Sequence, residues 1–333
     1  MVWIKFLVSA AAISFAALKL ARYADVVALR TKLGGMFVGT LILGFATSLT
    51  EILITVNAVT RGYPSLAVGN LLGANMVHML VLAILDVLHN NRRLLRKAAA
   101  RHGLTGSLTT TMISLVVFFI LVNLPYEVSI GQMTLGLDSL ILIAFFVFAM
   151  LLLQKQSQIQ VLQPQVQEIP PDFPSLRTSI LWLLGAAAVL MLATPYLVDS
   201  SVEIANLTGL GITFIGSTLV AIVTSFPELV STISAARIGA DDMAIGNLFG
   251  ATMVNMAVLG LADFFYTEGR FIATVDPSFL IVGMLGLIMT LMALIGNLAR
   301  LERKVLFIEA DSLVILLVYF GGVALLYVQG ISP

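Results

Sequence analysis

Residues 39–86 read GTLILGFATSLTEILITVNAVTRGYPSLAVGNLLGANMVHMLVLAILD, and residues 216–263 read GSTLVAIVTSFPELVSTISAARIGADDMAIGNLFGATMVNMAVLGLAD. They align without a gap at an offset of 177, with 19 of 48 positions identical, so the chain contains an internal duplication and not merely two apolar stretches. Shared positions include Thr47/Thr224, Ser48/Ser225, Glu51/Glu228, Gly69/Gly246, Asn70/Asn247, Gly73/Gly250 and Asp86/Asp263. Each copy carries a glutamate in the middle of an apolar segment. An ionisable group is expensive there and points to a function.

Hydrophobic residues make up 59% of the chain and charged residues 11%, and the mean hydropathy is +1.03. A water-soluble domain with these values would expose large apolar patches, so the sequence specifies an integral membrane protein. Its apolar segments, about 18 to 28 residues long, suit helices across roughly 30 Å of hydrocarbon and are too long for barrel strands. The expected fold is therefore an all-α helical bundle. With no cysteine, disulfides, thiolate metal ligands and thiol catalysis are excluded. Val2 to Leu20 runs on into Ala21–Leu29 without a convincing cleavage site, and it reads as a first span, not a leader.

Ten spans follow from the apolar runs: 3–22, 34–60, 65–88, 107–125, 134–154, 179–198, 210–236, 242–265, 276–299 and 311–329. The Gln- and Pro-rich stretch 155–178 separates a first unit, 1–154, from a second, 179–333, and reads as their linker. Fifteen Lys and Arg residues fall in loops on one side, among them Arg92, Arg93, Arg96, Lys97 and Arg101, against Lys5, Arg61 and Arg270 on the other. The basic side, which includes the linker, is expected to be cytoplasmic, with both termini outside. Short loops suggest a prokaryotic cytoplasmic membrane. Five spans per half make the second half run opposite to the first. Inverted repeats of this kind hold substrate near the midplane on their shared surface, where Glu51 and Glu228 fall.

The first element of each repeat is Gly44-Phe45-Ala46-Thr47-Ser48-Leu49-Thr50-Glu51 or Ala221-Ile222-Val223-Thr224-Ser225-Phe226-Pro227-Glu228. Spacings of three and four place both hydroxyls on the glutamate's face, making a strip of oxygen ligands suited to hard cations. Pro227 deletes a helical amide and strands a carbonyl one turn earlier, which predicts a broken helix. Thr50 stands in the equivalent place, so a break is less strongly encoded in the first repeat. The second element holds Gly69 and Gly73, or Gly246 and Gly250, one turn apart, a spacing that lets helices approach closely. His78 and Asn255 occupy equivalent positions near mid-span.

T-S-x-x-E, followed by G-N-x-x-G, a small residue and then His78 or Asn255 four positions on, resembles the alpha repeats of the cation/calcium exchanger superfamily, particularly its prokaryotic sodium/calcium exchanger-like members. The resemblance implies clustered cation sites between the second, third, seventh and eighth spans, with alternating access by sliding of the first and sixth. Carried over position by position, it implies ligands from the Glu51 and Glu228 carboxylates and the hydroxyls of Thr47, Ser48, Thr224 and Ser225. Main-chain oxygens near Gly44 and Ala221 and the side chains of His78 and Asn255 complete the set. No cofactor, nucleic acid or protein partner is expected, only the transported ions and membrane lipid.

The chain departs from the family at Ala74 and Ala251, where serine is usual, at Thr50, where proline is usual, and at His78, where Asn or Asp is usual. Two hydroxyls are lost and the centre holds two carboxylates without a third. Imidazole is borderline-soft and can carry a proton, which favours a transition metal or proton coupling over plain sodium/calcium exchange. Calcium remains the family's implication, with manganese or magnesium as alternatives. Two carboxylates facing each other in low dielectric resist remaining ionised and unpaired. One divalent cation, two sodium ions or two protons cancel the charge, so competition for the carboxylates becomes exchange.

Two rival classes exist. A passive cation channel would lack saturable counter-ion dependence. An intramembrane aspartyl protease would pair Asp86 with Asp263, yet has no use for the hydroxyls around each glutamate; capping or packing is the simpler role for those aspartates. The reading carried forward is a non-enzymatic antiporter exchanging a divalent cation for Na+ or H+.

Overall fold

Helices α1 (Val2–Thr31), α2 (Leu49–Thr60), α3 (Pro64–Leu88), α4 (Ala99–Val122) and α5 (Leu137–Gln160) make up the first half of the computed structural model. The second half contains α6 (Leu176–Thr208), α7 (Ile212–Thr224), α8 (Phe226–Arg237), α9 (Asp241–Ala262), α10 (Phe279–Ala299) and α11 (Ala310–Ile331). The structure describes residues 1–31, 47–88, 99–130, 133–160, 174–237, 241–299, 304–305 and 308–331. Gly44 lies outside the described residues, as does most of the linker. Among the described residues eight helices are long and apolar enough to cross a membrane, and α7 with α8, bent by 46°, makes a ninth if the pair is one span. Helix α2 is the described part of the span expected over 34–60. The fold is the expected one of two inverted five-helix repeats.

Several helices overrun their expected limits. α1 continues to Thr31, α5 to Gln160 and α6 from Leu176 to Thr208. Hydropathy marks where the chain leaves hydrocarbon, whereas a helix ends only where its backbone finds other partners. At α6 those partners are identifiable. Ser175 Oγ accepts the Thr178 amide at its start, and Gly209, at φ 71°, closes its end in the left-handed conformation.

Helices α3 and α9 form the centre. In each, 78% of the most apolar window is buried, against 22% in α5, α6 and α11, so the latter three make the lipid-facing shell. α3 is buried on every face from Leu66 to Met79, as a helix surrounded by other helices should be. α1 packs along α6, while α10 packs on α3 and α4.

Close approach at the centre depends on glycine. A Cβ on Gly69 would lie 3.1 Å from Gly216 Cα, and one on Gly73 only 2.3 Å from the Ser217 carbonyl oxygen. Both meet the π-helical turn Gly216–Val220 within α7. The packing role inferred for these glycines therefore holds in the first repeat. In the second, a Cβ on Gly246 would lie 3.2 Å from the His102 ring, and one on Gly250 would meet nothing within 4 Å among the described residues.

Each half also carries a short hairpin. Strands β1 (Glu127–Ile130) and β2 (Met133–Gly136) pair antiparallel before α5, and β3 (Lys304–Val305) and β4 (Ile308–Glu309) pair antiparallel before α11. Asp263, buried just past α9, accepts the amides of Gly136 and Phe271, each at 2.6 Å. Its counterpart Asp86 accepts the Ser312 hydroxyl at 2.7 Å, beside Glu309 and Asp311. The two aspartates thus fasten different hairpin regions, which is the packing role expected of them, and they do not form a dyad.

Candidate cation-binding site

Glu51 lies in the first turn of α2 and Glu228 in the first turn of α8. Helix α8 begins immediately after a turn that interrupts its span, and α2 begins after a turn of the same geometry. Ser48, at φ −76° and ψ 0°, sits between Thr47 and α2, and Ser225, at φ −79° and ψ 4°, sits between α7 and α8. The break predicted from Pro227 is present, and the first repeat makes the same turn without proline. In both, the serine carbonyl restarts the helix by accepting the amide four residues on, Ile52 or Leu229, at 3.0 Å.

One detail differs from expectation. The Val223 carbonyl, which Pro227 cannot satisfy, is not stranded, because backbone amides at the cap of α7 donate to the carbonyls of Ala221 and Val223. A tighter turn replaces the missing bond. The Ala221 oxygen accepts the Ser225 amide at 3.0 Å and has the Thr224 hydroxyl at 3.1 Å.

Glu51, Glu228 and His78, from α2, α8 and α3, bring one ligand atom each to within 4.8 Å of one another. All three side chains are fully buried. Neither carboxylate has a hydrogen-bond partner among the described residues, nor does His78 Nε2, nor the hydroxyls of Ser48, Thr50 and Ser225. Buried polar atoms are almost always paired, so these oxygens grouped around two acids form a set chemically able to hold a cation. The hydroxyl of Thr224 is a neighbour of the Glu51 carboxyl group, and that of Thr47 of Glu228, so each repeat's threonine lies beside the other repeat's acid.

The surrounding amides tie the helices together. Thr224 Oγ1 donates to Asn70 Oδ1 at 2.9 Å, linking α7 to α3. Asn247, the counterpart of Asn70, instead donates to Ser231 and Thr232 of its own repeat, at 2.9 and 3.0 Å. Between α3 and α9, Asn255 Nδ2 donates to Asn75 Oδ1 at 3.4 Å and His78 Nδ1 meets Thr252 Oγ1 at 3.0 Å.

Of the residues anticipated from sequence, Glu51, Glu228 and His78 converge directly. Thr47, Ser48, Thr224 and Ser225 line the two turns, Asn255 joins the α3–α9 contact, and the Ala221 carbonyl is engaged within its helix. Asn70, Asn75 and Thr252 were not anticipated. Asn75 and Thr252 are polar residues at repeat-equivalent places, three positions before His78 and Asn255, a helical spacing that puts them on the same face.

Comparison with known proteins agrees with this architecture. The family model described as sodium/calcium exchanger protein matches residues 1–154 and 178–328. A putative antiporter, CaxA, of Alkalimonas amylolytica is 26% identical over 310 residues, covering 91% of this chain and 92% of the relative. The inner membrane protein YrbG of Escherichia coli strain K12 is 30% identical over 227 residues, 68% of each chain. Among solved structures, the H+/Ca2+ exchanger CAX superposes with a TM-score of 0.71 at 13% identity, covering 99% of this chain and 86% of that one.

Proposed function

The chain belongs to the sodium/calcium exchanger family, and from that premise we propose that it exchanges a divalent cation, Ca2+ in the first instance, for Na+ or H+ at a site built on Glu51 and Glu228. The observation that carries this reading is the convergence of two fully buried carboxylates, without hydrogen-bond partners among the described residues, contributed by equivalent positions of two inverted repeats. A divalent ion neutralises both at once. Leaving the site without replacement by monovalent cations would restore two bare charges in low dielectric, so the protein changes its access only when loaded. That requirement couples the two fluxes without any covalent chemistry.

Thr47, Ser48, Thr224 and Ser225 supply neutral oxygens that complete coordination around the acids, and Asn255 contributes from α9. The basic loops face the cytoplasm and both termini face outward, in a prokaryotic cytoplasmic membrane. The relative named as an inner membrane protein supports this placement. The division at 155–178 gives each repeat one half of the site.

His78 supports a second reading. An imidazole nitrogen between two carboxylates suits Mn2+ or another first-row metal better than it suits Ca2+.

Flux in proteoliposomes decides among these. Ca2+, Mn2+ and Mg2+ uptake is measured against imposed Na+ or H+ gradients, with Glu228→Gln as control. Gradient-driven, saturable uptake that disappears in the variant supports the antiporter. Uptake without counter-ion dependence indicates a pore, and uptake unaffected by Glu228→Gln removes the site.

A further inference from the structure

His78 and Thr252 form a matched pair whose chemistry differs from that of its symmetry mate. Adding 177 to position 75 gives 252, and to 78 gives 255, so the contacts Asn75–Asn255 and His78–Thr252 are the same crossing of α3 and α9 made twice. One pair joins two amides. In the other, a longer imidazole replaces an amide and a shorter threonine replaces the opposite amide, so the combined reach across the crossing is preserved. Both partners are fully buried.

We propose that Thr252 is a positioning residue that holds the His78 ring so that Nε2 becomes a nitrogen ligand of the transported ion, and that the site thereby accepts first-row divalent metals such as Mn2+. This rests on the reading of Glu51 and Glu228 as the cation site. The ring has two nitrogens, and Thr252 engages Nδ1, leaving Nε2 as the buried atom without a partner among the described residues. A metal on Nε2 requires the proton on Nδ1, which then donates to the Thr252 hydroxyl. Ligating histidines characteristically have their second nitrogen held in this way, and the holding group fixes both tautomer and ring orientation. Ala74 and Ala251 leave no hydroxyl one turn before His78 and Asn255, so the nitrogen supplies coordination that side-chain oxygen there does not.

The test uses the purified full-length chain with Mn2+ as the probe. Pulsed electron paramagnetic resonance reads nitrogen coupling from an imidazole bound directly to Mn2+, and equilibrium binding gives the Mn2+ to Ca2+ affinity ratio. The parent protein should show the nitrogen coupling and His78→Asn should abolish it. Thr252→Val should weaken Mn2+ binding about 10- to 100-fold, more than Ca2+ binding, as loss of such a holding group does at other metal sites. Thr252→Ser should restore the parent ratio, which a defect of packing alone would not explain. Absence of nitrogen coupling in the parent, or equal loss of both ions in Thr252→Val, overturns the proposal. Nitrogen coupling in a protein that moves no ion would leave this inference standing and remove the transport reading instead.

Discussion

Ser48 and Ser225 adopt the same backbone conformation, φ −76° and ψ 0° against φ −79° and ψ 4°, although proline follows within two residues only in the second repeat. The turn therefore belongs to the repeat and not to Pro227. What both turns share is a glutamate three residues on, a serine carbonyl that restarts the helix, and the neighbouring threonine hydroxyl. Proline stabilises a geometry that the surrounding packing already selects.

Thr50→Pro should accordingly be tolerated. Thr50 is in the first turn of α2, where proline fits, and its buried hydroxyl has no partner among the described residues to lose. Thermal unfolding should shift by less than about 2 °C, roughly the effect of 1 kcal/mol on a chain of this length. A collapse of the folded state would show that the Thr50 amide has an essential partner.

Glu51→Gln and Glu228→Gln should each abolish exchange while raising thermal stability measured without divalent cations. Each removes one of two close buried acids and keeps nearly the same shape, so the folded state loses an unfavourable burial. The gain should vanish when saturating Ca2+ is added to the parent protein, because a ligand that binds only the folded state stabilises it by mass action. Unfolding scans with and without Ca2+ make the comparison.

Asp263→Ala should be among the most destabilising substitutions outside the site. It leaves the Gly136 and Phe271 amides without their acceptor, at about 1–3 kcal/mol for each orphaned donor. Asp263→Asn keeps one acceptor oxygen and should fall between the alanine variant and the parent. Residual exchange by the folded fraction, normalised to protein in the vesicle, should stay near the parent value in both.

Gly73→Ala and Gly321→Ala form a matched pair. The first places a methyl group 2.3 Å from the Ser217 carbonyl oxygen, and the second meets nothing within 4 Å. Overpacking at Gly73 should cost about 1–3 kcal/mol, whereas Gly321→Ala in α11 should be neutral or slightly stabilising. Equal behaviour of the two would contradict the close crossing of α3 and the π-helical turn.

The inverted repeats and the meeting of Glu51, Glu228 and His78 were legible in the sequence because the duplication carries its own coordinates. Once two segments align at one offset and run in opposite senses, equivalent residues must face each other. The helix ends were less legible, since apolarity reports the lipid boundary and α1 and α6 extend well beyond it. The hairpin β3–β4 was read as loop, and β1–β2 as loop running into the start of a span, being too short to leave a periodic signal. Thr252 was missed for another reason. A threonine in an apolar helix is unremarkable until the crossing of α3 and α9 sets it against His78, and contacts between helices depend on a crossing angle that local pattern does not encode. The fate of the Val223 carbonyl likewise depended on how tightly the chain turned after the proline position was known.

Asn70 bonds across to Thr224, while Asn247, its double, bonds to Ser231 and Thr232 within its own repeat. The two copies of this asparagine therefore hold different partners, so the halves are not identical in this structure. Under the exchange proposed above, swapping the roles of the two halves would give a second arrangement built from nearly the same contacts. For that proposed exchange, duplication would supply the alternative state without a separate set of instructions: what one half does, the other is already spelled to do.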